Sequence, residues 1–138
     1  MIYCGYQGVG KSTYCRNNPD TTIDLDSSNF KKTSDWFVNY VKAALVFSKD
    51  GKDVFISAHK EVIMYLYGMG YDFEILIPGD SKEVWAKRLE FRYQKNKTVA
   101  NLKAIHDFNI NFDSDMEFYH TLKGIKVHKV TSSPWQIL

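Results

Sequence analysis

The stretch GYQGVGKST, from Gly5 to Thr13, brings together residue types that bind phosphate. Its spacing fits the P-loop pattern Gly-x-x-x-x-Gly-Lys-Ser in full. Glycines let the backbone curl without a Cβ in the way, and backbone N–H groups that point inward at a helix N-terminus bind anions. The residues expected to contact such an anion are Gly5, Gly8, Val9, Gly10, Lys11, Ser12 and Thr13.

The residues around this loop supply the context that the pattern requires. The apolar run MIYC predicts a buried strand that ends at Gly5, and a short helix is expected from Lys11 to Asn17. In this setting Lys11 places its charge on the β- and γ-phosphates, Ser12 binds Mg²⁺, and Thr13 lies next to the α-phosphate. We therefore predict MgATP as the ligand. The alternative is an ordinary glycine turn with an exposed lysine.

Two carboxylates, Asp24 and Asp26, come at the end of the β-branched run TTIDL. A strand that ends near Asp26 would place both on one face, because side chains alternate along a strand. Ligands of open α/β sheets bind at the carboxyl ends of strands, so this pair is expected near the P-loop. One carboxylate can accept a proton from an attacking hydroxyl while the other orients a Mg²⁺-bound water. The alternative is a solvated strand end that caps the next helix.

Arg88 and Arg92 lie four residues apart in the helical segment SKEVWAKRLEFRYQKN and therefore share a face. Arginines directed at a transferring phosphoryl group stabilise its oxygens. The alternative is a solvated basic face that pairs with Glu83 and Glu90.

Three aromatic residues, Trp36, Phe37 and Tyr40, begin the helix that follows the Asp24 strand. Helical spacing of this kind predicts core packing. The alternative is a stacking surface for an acceptor ring or base.

The chain of 138 residues is long enough for one domain, residues 1–138, with a substantial core. Its 44% of apolar and 25% of charged residues are typical of a globular protein. A net charge of +2 does not indicate a nucleic-acid partner, and no apolar run approaches the ~20 residues of a membrane span. With no signal-peptide pattern and only two cysteines, Cys4 and Cys15, the expected compartment is the cytoplasm.

Short apolar runs alternate with helical segments in the order β-α-β-α-β-α-β-α-α-β. This alternation predicts five parallel strands with helices on both faces of the sheet. The last helical segment, residues 98–124, is expected to break near Asn109 to Ser114.

The order of these features resembles the P-loop kinases, in particular the nucleoside-monophosphate and shikimate kinases, with polynucleotide 5′-kinase as a further relative. The shared features are the P-loop, D-x-D at the end of the second strand, and R-x-x-x-R on the helix after the fourth. The resemblance implies a three-layer α/β/α P-loop NTPase fold with strand order 2-3-1-4-5. It makes Asp26 the acceptor-side carboxylate, Asp24 its Mg²⁺-side partner, and Arg88 and Arg92 the lid arginines. It places the ATP base near residues 131–134.

The resemblance implies an ATP-dependent kinase that acts on a small acceptor, a nucleoside or a nucleotide. Polynucleotide 5′-ends and small metabolites are the other acceptors that it allows. The chain is short, so its acceptor-binding and lid segments must be minimal, as in a bacteriophage-type nucleotide kinase. Many members of the group carry an aspartate at the end of the third strand, where this chain has Ser57 and His59. A nucleotide-binding module without transfer activity is therefore the alternative.

Overall fold

The computed structural model of the protein describes residues 1–131. The strands in this range are β1 Ile2–Gly5, β2 Thr22–Asp24, β3 Asp53–Ser57, β4 Phe73–Pro78 and β5 Val127–Val130. The α-helices are α1 Lys11–Asn17, α2 Trp36–Lys49, α3 Lys60–Gly68, α4 Lys82–Lys95 and α5 Val99–His120. A single 3₁₀ turn, Ser27–Asn29, follows β2.

The five strands form one parallel sheet in the order β2-β3-β1-β4-β5. This confirms both the parallel sheet expected from the alternation of elements and the strand order implied by the resemblance. The central strand β1 pairs with β3 and β4, and its last residue, Gly5, lies opposite Ser57. Because all strands run in one direction, the carboxyl ends of β1, β2 and β3 meet at a single edge of the sheet.

The core consists of the apolar side chains of the sheet and of the helices packed against it. Residues of β3 and β4 such as Phe55, Ile56 and Ile75 are fully buried, as expected for parallel strands covered on both faces. Cys4 is a buried core residue of β1, and neither it nor Cys15 forms a disulfide. No helix within residues 1–131 is long and apolar enough to cross a membrane.

Helix α5 runs without interruption from Val99 to His120, so the break predicted near Asn109 to Ser114 is wrong. Phe108 and Phe112 lie one turn apart on the inner face, with ring centroids 4.8 Å from each other, and both contact Tyr6. Ser114 is accommodated because its hydroxyl donates a hydrogen bond to the carbonyl of Asn111 within the helix. Tertiary packing of one face thus outweighs the weak helix propensity of the polar residues in this segment.

Strand β2 ends at Asp24, two residues earlier than expected. Asp26 instead occupies the N-cap position of the 3₁₀ turn, where its Oδ1 accepts a hydrogen bond from the Ser28 N–H at 2.9 Å. The two carboxylates therefore belong to different local structures, and the strand periodicity that was expected to relate them stops between them.

Candidate active site

The loop between β1 and α1 has the tight backbone that its glycines predict. Gly8 and Gly10 have φ values of 84° and 90°, a region that residues with a Cβ rarely adopt. A Cβ at Gly8 would also lie 2.9 Å from Leu89 Cδ2, and one at Gly5 would lie 2.7 Å from Lys11 Cδ. Glycine is thus required at Gly8 by its conformation and its neighbours, and at Gly5 by the close approach of the lysine.

Lys11, the first residue of α1, folds back over the loop. Its Nζ donates a hydrogen bond to the carbonyl oxygen of Gly5 at 3.1 Å. Burial lowers the pKa of this ammonium group, and the nearby carboxylate of Asp24 opposes that shift. A cation held in a partly dehydrated position is well suited to an anionic ligand, because its interaction with charge is weakly screened there.

Ser12 and Asp24 are in direct contact. The Ser12 hydroxyl donates a hydrogen bond to Asp24 Oδ2 at 2.7 Å. The expectation that the carboxyl end of β2 lies beside the P-loop is therefore confirmed. A hydroxyl and a carboxylate at this distance offer oxygen ligands and a hydrogen-bond acceptor for water, the groups that Mg²⁺ and its hydration shell use.

Asp26, the N-cap residue of the 3₁₀ turn, lies within electrostatic reach of Lys11, because its charge opposes the lowering of the lysine pKa by burial. The alternative interpretation of Asp26 as a capping residue is confirmed for one carboxylate oxygen, because Oδ1 accepts the hydrogen bond from the Ser28 N–H. Capping holds the carboxylate in a fixed orientation.

Tyr40 of α2 joins the ends of β2 and β3. Its hydroxyl donates a hydrogen bond to the Leu25 carbonyl at 2.6 Å and accepts one from the Ser57 N–H at 2.9 Å. The Leu25 N–H donates a hydrogen bond to the Phe55 carbonyl at 3.0 Å, which continues the β2–β3 pairing one residue past Asp24. The next bond of a parallel ladder would run from the Ser57 N–H to the Leu25 carbonyl. The phenol occupies the place of that bond, and burial raises its pKa to about 12.

The aromatic residues at the start of α2 serve mainly as core, as the sequence predicts. Tyr40 is fully buried, and Trp36 is 9% exposed. The Trp36 ring also lies perpendicular to the His59 ring, with the two ring centroids 5.3 Å apart. His59 follows β3, at the place where many of the P-loop kinases named above carry an aspartate. Burial lowers the pKa of its imidazole.

Helix α4 packs directly on the P-loop. It begins after Ser81, whose hydroxyl accepts a hydrogen bond from the Val84 N–H, as its sequence predicts. Trp85 is fully buried and donates a hydrogen bond from Nε1 to the carbonyl of Gln7 at 3.0 Å. Sequence reasoning missed this anchor, although the spacing of Trp85 and Leu89 on one helix face was a signal for it.

The two arginines of α4 lie one turn apart, and Arg92 lies within electrostatic reach of Lys11. The Arg88 guanidinium lies 5.0 Å from the centre of the Trp85 ring. Arg92 Nε donates a hydrogen bond to Asn101 Oδ1 at 3.1 Å, and its charge contributes to the lowered pKa of Lys11. Within the described chain Arg92 forms no ion pair with a carboxylate. Its pKa is lowered by burial and by the charge of Arg88.

A cavity of about 410 Å³ opens beside Lys11. One wall is the start of the P-loop, a second is the connection between β3 and α3, and the third is one face of α5. Its lining residues are Gly5, Tyr6, Gln7, Lys11, Ser57, Ala58, His59, Lys60, Lys103, Asp107, Asn111 and Asp115. Neither Asp24 nor Asp26 belongs to this lining. The volume lies within the range of about 300–1,000 Å³ typical of small-molecule sites.

The α5 wall was missed by sequence reasoning. Lys103, Asp107, Asn111 and Asp115 recur every four residues and so share one face of an unbroken helix. The predicted break fell inside this series and separated Asp107 from Asp115. A strictly helical interpretation of the segment would have revealed the polar face.

Comparison with known proteins supports the fold and leaves the particular family open. No family model and no curated protein matches the chain. Among solved structures, shikimate kinase from Bacteroides thetaiotaomicron is similar, with a TM-score of 0.53 and 15% identity. The match covers 93% of this chain and 83% of that one. The chain therefore has the fold of the P-loop kinases. The site expected for the ATP base, residues 131–134, lies outside the described residues from position 132 onward.

Proposed function

We propose that the protein is an ATP-dependent phosphotransferase that moves the γ-phosphoryl group of MgATP to a small acceptor, a nucleoside or a nucleotide. The observation that carries this proposal is that Lys11 belongs both to the phosphate loop and to the lining of a cavity beside it. On one side lies the glycine loop with the Ser12–Asp24 contact, and on the other lies the 410 Å³ cavity. A phosphotransferase needs this arrangement, because donor and acceptor must meet at one cation.

The residues of the loop and of β2 bind the donor in this scheme. Backbone N–H groups of the loop and the Lys11 ammonium hold the phosphates, and Ser12 and Asp24 hold Mg²⁺ and its water. Bound Mg²⁺ supplies positive charge that neutralises the phosphate oxygens. Asp26 accepts the proton of the acceptor hydroxyl or positions it.

The arginines of α4 act on charge that develops during transfer. Arg88 and Arg92 stabilise the oxygens of the transferring phosphoryl group, because both lie on the helix that covers the P-loop. The hydrogen bond from Trp85 to the Gln7 carbonyl fixes α4 against the loop, and this contact determines the distance between the arginines and the loop.

A nucleotide-binding module without transfer activity is the second candidate. The observation that favours it is the end of β3, which offers Ser57 and His59 in place of a carboxylate. The module binds MgATP and leaves every acceptor unchanged, which separates the two functions experimentally.

The test is phosphoryl transfer from radiolabelled MgATP to a panel of nucleosides, nucleotides, polynucleotide 5′-ends and hydroxylated metabolites, together with ATP affinity. For a kinase we expect one acceptor class to be labelled. Lys11→Ala should abolish labelling and weaken ATP binding while the thermal unfolding curve stays close to that of the wild type, because its ammonium serves the ligand. Near-normal turnover in a folded Lys11→Ala protein would disprove the kinase assignment, and ATP binding without any labelled acceptor would establish the module.

A further inference from the structure

Arg92 lies on the face of α4 that packs against the phosphate loop. Trp85, Leu89 and Arg92 follow one another at spacings of four and three residues, which places them on one side of the helix. Trp85 donates its hydrogen bond to the Gln7 carbonyl, and a Cβ at Gly8 would lie 2.9 Å from Leu89 Cδ2. Arg92 therefore continues the loop-facing side of α4 by one turn.

The guanidinium of Arg92 is held by a side chain of the next helix. Arg92 Nε donates a hydrogen bond to Asn101 Oδ1 at 3.1 Å. Asn101 Nδ2 donates to the Asn96 carbonyl at 2.8 Å, and the Asn101 backbone N–H donates to Thr98 Oγ1 at 3.1 Å. Asn96 is the C-cap residue of α4 and Thr98 the N-cap residue of α5, so Asn101 ties the arginine to the turn between the two helices.

The two ends of the Asn101 amide have different partners, and this fixes the orientation of the side chain. Its oxygen accepts from Arg92, and its nitrogen donates to the Asn96 carbonyl. Exchanging the two ends would set donor against donor and acceptor against acceptor. An asparagine makes both contacts, whereas an alanine makes neither and an aspartate lacks the donor.

The contact with Asn101 leaves most of the guanidinium free for a ligand. It uses one of the five N–H groups of an arginine, so the four on Nη1 and Nη2 remain. In the part of the chain that the structure describes, no carboxylate forms an ion pair with Arg92. The charge of Arg92 contributes to the lowered pKa of Lys11, so the two cations lie within electrostatic reach of each other. A forked cation in this position is suited to phosphoryl oxygens.

We propose that Asn101 is a positioning residue for Arg92, which holds Nε so that Nη1 and Nη2 are presented to the oxygens of the transferring phosphoryl group. The inference rests on the proposed kinase function and deepens it, because it adds a residue that acts on transfer without touching the ligand. An arginine that is already held loses less side-chain freedom when it meets the transition state. Asn101 therefore acts on the rate of transfer more than on ATP affinity.

Arg92 acts where charge develops in the reaction. The bond from the γ-phosphorus to the oxygen that bridges it to the β-phosphorus breaks, and a bond from the acceptor oxygen to the γ-phosphorus forms. The hydroxyl proton passes to Asp26 in the proposed function, and ADP leaves. Negative charge on the outer oxygens of the transferring group is what the Nη1 and Nη2 donors stabilise.

The experiment is a double-mutant cycle on the full chain, with radiolabelled MgATP and the acceptor that the wild type phosphorylates. Single-turnover rates, the ATP Kd and the unfolding temperature are measured for Asn101→Ala, Arg92→Ala and the double variant. Asn101→Ala should lower the rate about tenfold with little change in the ATP Kd. On the Arg92→Ala background it should have no further effect on the rate, because there is no guanidinium to position.

Thr98→Ala is the matched structural control. It removes the hydroxyl that caps α5 but neither partner of the contact between Asn101 and Arg92. It should lower the unfolding temperature as Asn101→Ala does, because both changes loosen the start of α5. Its transfer rate should stay close to that of the wild type.

Asn101→Asp separates positioning from stability. The carboxylate keeps an oxygen for Arg92 Nε and places a negative charge in the first turn of α5, where it is favourable for the helix. These gains offset the lost bond to Asn96, so the unfolding temperature should stay closer to that of the wild type than in Asn101→Ala. The rate should still fall about tenfold, because an ion pair with the new carboxylate reduces the positive charge that Arg92 offers to the phosphoryl oxygens.

Three results would overturn the inference while the proposed function stands: an unchanged rate in Asn101→Ala or Asn101→Asp, an equal loss from Asn101→Ala on the wild-type and Arg92→Ala backgrounds, or an equal loss in Thr98→Ala. Absence of transfer to any acceptor by the wild-type protein would overturn the proposed function itself and the inference with it.

Discussion

The phosphate loop and the α5 wall border the same lysine, yet they are built in different ways. The loop is one continuous segment, and its shape follows from glycines at fixed positions in the sequence. The wall takes its side chains from a helix whose sequence lies about a hundred residues away. It reaches the site only through contacts such as Tyr6 with Asp115.

In the proposed kinase, this difference would separate recognition of the donor from recognition of the acceptor. The loop presents backbone groups to a ligand part that is the same in every nucleoside triphosphate. The wall presents side chains, which can differ between proteins of one fold, although Asp115 is tied to the loop by the hydrogen bond that it accepts from Tyr6. Changes on the loop side should therefore act on all reactions of the protein, whereas changes on the wall should act on the choice of acceptor.

After Lys11→Ala, the largest effect is expected from Asp26→Asn, which tests whether the proton acceptor lies at the end of β2 beside the loop or in the cavity. Asparagine keeps the shape and can still accept the Ser28 N–H, so ATP affinity should be retained. The kcat should fall by about 10²–10⁴-fold, the usual loss for a general base. Single-turnover kinetics at saturating ATP measures this. An unchanged rate would mean that another residue accepts the proton, and His59 in the lining of the cavity is the first residue to test.

A smaller loss is expected when the arginines of α4 are removed one at a time. Arg88→Ala and Arg92→Ala should each lower kcat by about 10²-fold with little change in the ATP Kd, because they act on charge that develops in the transition state. Lys95→Ala on the same helix is the control, since its ammonium lies over the exposed Phe91 ring. If both arginine variants alter only the unfolding temperature, the pair is structural.

Asp24→Asn should change the response to Mg²⁺ more than the response to ATP. The Ser12 hydroxyl keeps a hydrogen-bond acceptor at 2.7 Å, but the charge that orients Mg²⁺-bound water is lost. We expect the Mg²⁺ concentration for half-maximal turnover to rise about tenfold, with a smaller rise in the ATP KM. A Mg²⁺ titration at fixed ATP checks this, and an unaltered titration would exclude Asp24 from the metal site.

The smallest effect concerns the packing of α4 on the loop. Gly8 and Gly70 both have positive φ, 84° and 74°, but a Cβ at Gly70 meets no atom within 4 Å, whereas one at Gly8 meets Leu89. Gly8→Ala and Gly70→Ala both lose stability because an alanine is strained at positive φ. Gly8→Ala should lose about 1 kcal/mol more of the free energy of unfolding, because of this overlap. Equal losses of the free energy of unfolding in the two variants, measured by urea unfolding, would mean that α4 moves aside to accommodate the new Cβ at no cost.

Much of the fold could be predicted because its signals are local. Apolar runs predicted the strands, and the caps and glycines predicted the helix ends, as at Ser81. The nearness of Asp24 to Ser12 followed from the rule that parallel strands end at one edge. The strand order came from the resemblance to P-loop kinases, and the sheet has that order.

The parts that could not be predicted depend on contacts between distant segments. The sequence predicts Trp85 only as a core residue. Its hydrogen bond to the Gln7 carbonyl joins positions 78 residues apart and could not be predicted from local pattern. The end of β2 at Asp24 was misplaced because alternation of polar residues continues past it, while the backbone turns to use Asp26 as a cap. The roles assigned to the arginines and to both aspartates remain predictions.

The Tyr40 phenol between β2 and β3 also has a consequence for the order in which this edge opens and closes. The amide hydrogen of Ser57 is protected by a group that belongs to α2, a helix outside the sheet. When α2 lifts away, that amide loses its acceptor and the Leu25 carbonyl loses its donor in the same event. Hydrogen exchange at Ser57 therefore reports the opening of α2, and this edge of the sheet is complete only while that helix is docked.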